Sequence, residues 1–231
     1  MKDQLITLLH ITDSGYPTGS FAHSWGLEYA IYSGWVKDIN SLSDWCKDSI
    51  QYSFLPLEGR VSLKAWDLAG KNDFSGLFNL NEELVAFRTS HTMRTTNAQM
   101  GRSFIKITNT SYKDSRIEKL YTLVTQNESL YCMQHPIAYG AILNCLSISK
   151  NIMLKSLLFG ILKQWGQVAM RIIPLGQKDV HFFLACITDF LNELITEELK
   201  KYHNCELQSV CPGLDIAGMG HDSLKARYFI N

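Results

Sequence analysis

Cysteine and histidine are the side chains of this sequence best suited to chemistry, because thiolate and imidazole groups bind zinc and nickel. Cys132 and His135 are three positions apart, and a second group lies near the C-terminus: His203, Cys205, Cys211 and His221. The first pair has no matched second pair, and the C-terminal spacings match no zinc module. The pattern therefore favours buried thiols and surface histidines over a resident metal site, and it leaves transient metal contact open.

Serine and histidine residues near the N-terminus raise the question of a catalytic triad. Ser14, Ser20 and Ser24 lie close in sequence to His10 and His23. Side chains of these types near helix ends more commonly cap the helices. The sequence also has no G-x-S-x-G motif, no G-x-x-x-x-G-K-[ST] motif and no G-x-G-x-x-G motif that opens a helix. We therefore predict a protein that is not an enzyme, hydrolyses no nucleotide itself and carries no cofactor.

Composition and charge narrow the class of protein further. The 231 residues are 46% hydrophobic and 19% charged, which predicts a globular chain with a sizeable core. The 22 Lys and Arg residues balance the 22 Asp and Glu residues, so we expect no attraction to nucleic acid or to an anionic membrane. No secretory signal and no membrane-spanning stretch is expected. Six scattered cysteines are typical of reduced thiols, and we predict a cytoplasmic protein.

Apolar residues recur at helical spacing along nearly the whole chain. The longest stripe has intervals of four and three residues: Leu154, Leu158, Ile161, Trp165, Val168 and Ile172. A second stripe starts at Val180, and further helices are predicted to begin at Ser41 and at Asn81. Clean strand alternation is absent. We predict an all-α fold, a single-domain multi-helix bundle over residues 1–231.

The last part of the chain differs from this helical body. Residues 1–202 form the predicted body and residues 203–231 a Gly/Pro-rich tail. Pro212 and the three glycines that follow it up to position 220 are predicted to exclude a stable helix there. The tail nevertheless closes with Tyr228, Phe229 and Ile230, which need a surface to pack against, on this chain or on another protein.

Two segments have the features of docking or packing sites. Arg171 to Gln177 leads one apolar helix into Pro174 and Gly176 before the next helix begins, so a bend is expected there. In residues 17–28, Ser20 is predicted to cap a helix that contains Gly26 and Glu28. Gly26 predicts a tight helix crossing in the core, or a docking surface that includes Glu28.

These segments resemble known sequence blocks. Pro17-x-Gly19-x-Phe21-x-x-Ser24-x-Gly26-Leu27-Glu28 is similar to the N-terminal signature of the UreF family of urease accessory proteins. Later blocks resemble that family in the same order: Met100–Arg102, His135–Gly140, Arg171–Gln177, Pro212–Ile216, and His221-Asp222 followed by Arg227-Tyr228-Phe229. The resemblance covers nearly the whole chain.

The resemblance implies a homodimer that works without catalysis. Proteins of this family bridge a UreD/UreH-like accessory protein and the GTPase UreG, and the assembly delivers nickel to apo-urease; the tail becomes ordered on the UreD/UreH-like partner. It implies partner-binding roles for the residues of three blocks: Pro17, Gly19, Phe21, Ser24, Gly26 and Glu28; Arg171, Pro174, Gly176 and Gln177; His221, Arg227, Tyr228 and Phe229.

Two other functions remain open at the level of the sequence. The chain could regulate GTP hydrolysis by UreG, with Arg94, Arg102 or Arg171 near a phosphate. It could instead be a nickel carrier that uses the histidines and cysteines of the tail.

Overall fold

The computed structural model describes residues 3–230, with the exception of the side chain of Phe21, and within that part it confirms a single all-α domain without β-strands. The α-helices are α1 Gln4–Ile11, α2 Leu27–Tyr32, α3 Ile39–Ser49, α4 Arg60–Gly70, α5 Phe74–Phe87, α6 His91–Ser111, α7 Ser115–Thr125, α8 His135–Cys145, α9 Lys150–Ile172, α10 Gln177–Lys201 and α11 Pro212–Gly220. A π-helical segment, Ile50–Gly59, joins α3 to α4, and short 3-10 helices cover Ser20–Ala22, Tyr202–Asn204 and His221–Ser223.

Helix α8 lies at the centre of the domain. Residues 136–145 are all buried, and the helix packs against α4 on one side and α6 on another. A side chain at Gly140 would collide with the backbone carbonyl of Ser62 in α4, so only glycine allows this close approach. Gly101 in α6 likewise lies against the backbone of residues 133–135. Two of the blocks that carry the family resemblance thus meet in the core.

The long stripe predicted for residues 154–172 is confirmed as the buried face of α9. Leu154, Leu158, Trp165 and Val168 are each at most 1% exposed, and α9 packs against α10, the next helix after the corner at Pro174. Pro174 has no backbone N–H to donate and restricts the residue before it, so the helix ends where the sequence predicted. This corner brings the C-terminal end of α9 to the surface.

Three predictions about helix starts are wrong. Asp38, not Ser41, is the N-cap of α3, and Ser41 completes a capping box as the third helical residue. Asn81 lies inside α5, where its side-chain oxygen accepts a hydrogen bond from the backbone N–H of Gln134 at 2.8 Å. Gly26 is not inside a helix: it is the N-cap of α2 with φ 83°, and Ser20 begins a separate 3-10 turn.

The prediction that no helix forms around residues 211–220 is also wrong. Pro212 occupies the first turn of α11, where its missing N–H leaves no hydrogen bond unmade. Leu214, Ala217 and Gly218 face the body and are buried. Burial against neighbouring helices therefore outweighs the low intrinsic helix propensity of glycine.

Within residues 3–230, no helix combines the length and the apolar character that crossing a bilayer requires.

Candidate partner-docking site

The carboxylate of Glu28 is the centre of a buried site that holds the C-terminal tail. Glu28 is 0% exposed and lies in the first turn of α2. Its Oε1 accepts a hydrogen bond from the backbone N–H of Tyr228 at 2.6 Å, and its Oε2 accepts from the N–H of Phe229 at 3.2 Å. The Nε2 of the equally buried His221 lies 2.9 Å from Oε2. The side chain of Glu28 thus contacts both ends of residues 221–230. We name these residues the tail segment.

The loop before α2 positions Glu28. In that loop, the Gln164 amide of α9 donates to the carbonyl of His23, and the indole N–H of Trp165 donates to the carbonyl of Ser24 at 2.8 Å. Gly26 then turns the backbone into α2 in a left-handed conformation that residues with a Cβ rarely adopt. Helix α9 therefore fixes where α2 begins and, with it, where the carboxylate points.

Helix α11 crosses α2 at Gly26, where the missing side chain lets the two backbones lie close together. A Cβ at Gly26 would lie 3.1 Å from both the Cβ of Ala217 and the backbone nitrogen of Gly218. On the next turn, the ring of Tyr29 covers Gly220 so closely that a side chain there would overlap it. The close contact expected at Gly26 is present, although Gly26 is a helix cap.

The last three described residues of the tail segment, 228–230, alternate between exposure and burial. Phe229 is 6% exposed, whereas Tyr228 and Ile230 are 67% and 60% exposed. The guanidinium of Arg171, at the end of α9, lies 5.3 Å from the centre of the Phe229 ring. The N–H of Ile230 donates to the carbonyl of Ala22 at 2.8 Å. The chain itself therefore provides the surface that Phe229 needs.

The structure brings together only part of the predicted partner-binding set. Gly26, Glu28, Arg171, His221, Tyr228 and Phe229 share this site, and Arg227 lies on its rim, 3.5 Å from Asp222. Ser24 is buried beside Trp165. The remaining residues are exposed, on the loop before the first 3-10 turn or at the α9–α10 corner: Pro17, Gly19, Pro174, Gly176 and Gln177. The side chain of Phe21 lies outside the described part.

The sequence analysis missed the residues of α6 that hold α11 in place. Ser90 donates to the carbonyl of Gly218 at 3.2 Å, and the Thr92 hydroxyl donates to the Asp222 carboxylate at 2.8 Å. These partners are 128 and 130 residues apart in the chain. In a sequence, short polar side chains at a helix start are interpreted as caps. No local signal therefore indicated that Ser90 and Thr92 also bind Gly218 and Asp222.

Two of the three arginines considered as phosphate contacts are bonded to the backbone. Arg94 donates to the carbonyls of Arg88 and Thr89, and Arg102 donates to the carbonyls of Leu130 and Cys132. These bonds fix loops next to α6. Arg171 is exposed at the end of α9, beside the tail segment.

The histidines and cysteines do not assemble into a ligand cluster. His221 faces Glu28, whereas Cys205 and Cys211 are half-buried on the segment before α11. Cys132 is buried, and His135 borders a half-open cavity of about 140 Å³ between the N-terminal loop, α6, α8 and α9. Among residues 3–230, no three Cys, His, Asp or Glu side chains lie together as metal ligands would.

Burial controls the charge of the groups around this cavity. It lowers the pKa of the His135 imidazole to about 4, so this ring is neutral near pH 7, and it contacts the rings of Phe104 and Tyr139. Glu58, on the cavity wall, forms a buried ion pair with Arg88, whose pKa is lowered to about 10 by burial.

Known proteins are similar to this chain along nearly its whole length. The sequence model of the UreF family matches residues 36–186. The urease accessory proteins UreF of Bacillus sp. strain TB-90 and of Lachnoclostridium phytofermentans are each 29% identical to this chain, over 99% and 100% of it and over their own full lengths. The UreF protein of Geobacillus kaustophilus is also 29% identical, over 99% of this chain and 98% of its own length. These alignments include both Glu28 and the tail segment, and the chain belongs to the UreF family of urease accessory proteins.

Proposed function

We propose that this chain is a non-catalytic scaffold of urease maturation, which joins a UreD/UreH-like accessory protein to a UreG-like GTPase for the insertion of nickel into apo-urease. Membership of the family supports a role as a urease accessory protein. The proposal that the chain joins two partners depends on the tail segment. Buried Glu28 binds this segment, and its aromatic and aliphatic side chains at Tyr228 and Ile230 are exposed to solvent.

The surface around the tail segment supports a protein partner. Tyr228 is 67% exposed and interacts electrostatically with Tyr32, which is 48% exposed. Trp35, whose ring packs against Tyr29 of α2, and Met219 of α11 are 44% and 51% exposed. Exposed aromatic and apolar side chains are typical of protein–protein interfaces, in which aromatic residues contribute most of the affinity. We assign this outer apolar face, formed by Tyr32, Trp35, Met219 and Tyr228, to the UreD/UreH-like partner.

Co-purification tests this assignment. Full-length chain is isolated from cells that express it with the urease structural and accessory genes, as wild type and as Tyr228→Asp. We expect Tyr228→Asp to lose the UreD/UreH-like protein, because a charge would be buried in an apolar contact. Phe182→Asp on α10 is the matched control, since Phe182 is an aromatic residue of similar exposure, 72%. Full capture by Tyr228→Asp contradicts the assignment.

A homodimer is the second part of the proposal. Helix α1 exposes three large apolar side chains, Leu5, Ile6 and Leu9, which are 60–66% exposed. Exposure of such an apolar face to water costs free energy. We propose that this face packs against a second copy of the chain. Sedimentation analysis tests this: the wild type should be a dimer and Leu9→Asp a monomer. A monomeric wild type at micromolar concentration contradicts the homodimer.

The place of action is the third part. Six cysteines, none of them in a disulfide, support a reducing compartment, and we propose the cytoplasm. Cell fractionation of the native organism tests this, with recovery in the periplasmic or extracellular fraction as the contrary result.

A further inference from the structure

We propose that Glu28 is a positioning residue, which sets the register in which the tail segment docks and thereby decides which of its side chains face the partner. This inference rests on the proposed function for its consequence, but its physical basis is a property of the chain alone. Residues 228–230 alternate in burial, and the carboxylate holds the two amides at the start of that alternation.

The first step is the hydrogen bonding. Each oxygen of the Glu28 carboxylate accepts from a different amide of consecutive residues, at 2.6 and 3.2 Å. Two consecutive N–H groups thus converge on one carboxylate, as they do in anion-binding turns, and hydrogen bonds to a carboxylate are stronger than those between neutral groups. Because Glu28 is 0% exposed, water does not compete for the carboxylate.

The second step is the consequence for register. Of residues 228–230, only Phe229 is buried, against Arg171, whereas Tyr228 and Ile230 are exposed. A slip by one residue would put Tyr228 or Ile230 in the place of Phe229 and would expose the Phe229 ring. Because His221 contacts the same carboxylate, the length of chain between His221 and Tyr228 fixes which amides reach Glu28.

The third step explains why an acid is required. Glutamine has the same shape, but it offers one accepting oxygen, and its NH₂ group would point at an amide that is itself a donor. Glu28→Gln should therefore retain α2 but form weaker hydrogen bonds to the tail segment. His221, whose ring also contacts the carboxylate at 2.9 Å, would lose the same acceptor.

Amide hydrogen exchange, followed by NMR on the full-length chain, tests the inference without any partner. In the wild type, the amides of Tyr228 and Phe229 should exchange at least tenfold more slowly than the amide of Ala226, which has no acceptor among the described residues 3–230. In Glu28→Gln, exchange at Tyr228 and Phe229 should become at least tenfold faster. Glu193→Gln, at an exposed position on α10, is the matched control and should change neither rate.

Several results would overturn the inference. Unprotected amides at Tyr228 and Phe229 in the wild type contradict it, even if the variant proves too unstable to study. Unchanged exchange at both positions in a folded Glu28→Gln protein contradicts it as well. If exchange accelerates while capture of the UreD/UreH-like protein persists, the inference holds and the partner assignment for the tail segment fails; the two proposals are thus tested separately.

Discussion

Substitution of Gly26 by alanine tests the crossing of α2 and α11 on which the tail segment depends. Gly26 has φ 83°, a left-handed conformation that costs a residue with a Cβ about 1–2 kcal/mol. The new Cβ would in addition lie 3.1 Å from Ala217 and Gly218, and overpacking of this kind costs about 1–3 kcal/mol. Gly26→Ala should therefore lower the free energy of unfolding by about 2–5 kcal/mol.

Gly19 and Gly34 provide controls for the conformational part of this cost. Their φ angles are 86° and 77°, and a Cβ at either position would meet no atom within 4 Å. Gly19→Ala and Gly34→Ala should thus show the backbone cost of about 1–2 kcal/mol alone. The difference between Gly26→Ala and these controls measures the contact with α11.

Urea denaturation followed by circular dichroism measures the three free energies, with exchange of the amides of residues 214–220 as a local measurement, because α11 can separate from α2 before the domain unfolds. We expect faster exchange there in Gly26→Ala alone. If Gly26→Ala equals Gly34→Ala within about 0.5 kcal/mol, and exchange in α11 is unchanged, the proposed role of this glycine in seating α11 is refuted.

Three further outcomes are expected. Glu198→Gln should destabilise the domain by about 3–5 kcal/mol in urea denaturation, because it leaves the buried guanidinium of Arg60 without its counter-charge; a loss below 1 kcal/mol would contradict this. Trp165→Phe should cost about 0.5–1.5 kcal/mol in the same assay, since the carbonyl of Ser24 loses one of its two donors and keeps the N–H of Leu27; an unchanged midpoint is the contrary result. Burial lowers the pKa of His135 from 6.5 to about 4, so the unfolded chain binds more protons between these values and stability falls as the pH is lowered through them. Between pH 7 and 4.5 this loss should be about 2–3 kcal/mol smaller in His135→Gln than in the wild type, and equal pH dependence would show that the ring is not buried as a neutral group.

The features that the sequence predicted well are local in origin. The buried face of α9 follows from apolar residues at intervals of three and four, and its end follows from Pro174, whose ring forbids continuation whatever surrounds it. The blocks around Gly101 and Gly140 were recognisable as blocks, but only the structure shows that they are packing sites in which a side chain would meet backbone. The wrong helix start at Asn81 has the same cause, since its partner Gln134 is 53 residues away.

The sequence by itself determined that this chain is an all-α member of the UreF family, because helical periodicity, helix-breaking residues and ordered motifs are properties of neighbouring positions. The tertiary structure alone decided that Glu28 holds the tail. The carboxylate and the amide of Tyr228 are 200 residues apart, and only the placement of α2 by α9 brings them within a hydrogen bond. Residues 212–220 likewise form a helix because they pack against neighbouring helices, although their intrinsic propensity predicted none. This packing stabilises the helix by more than the low helix propensity of its three glycines destabilises it.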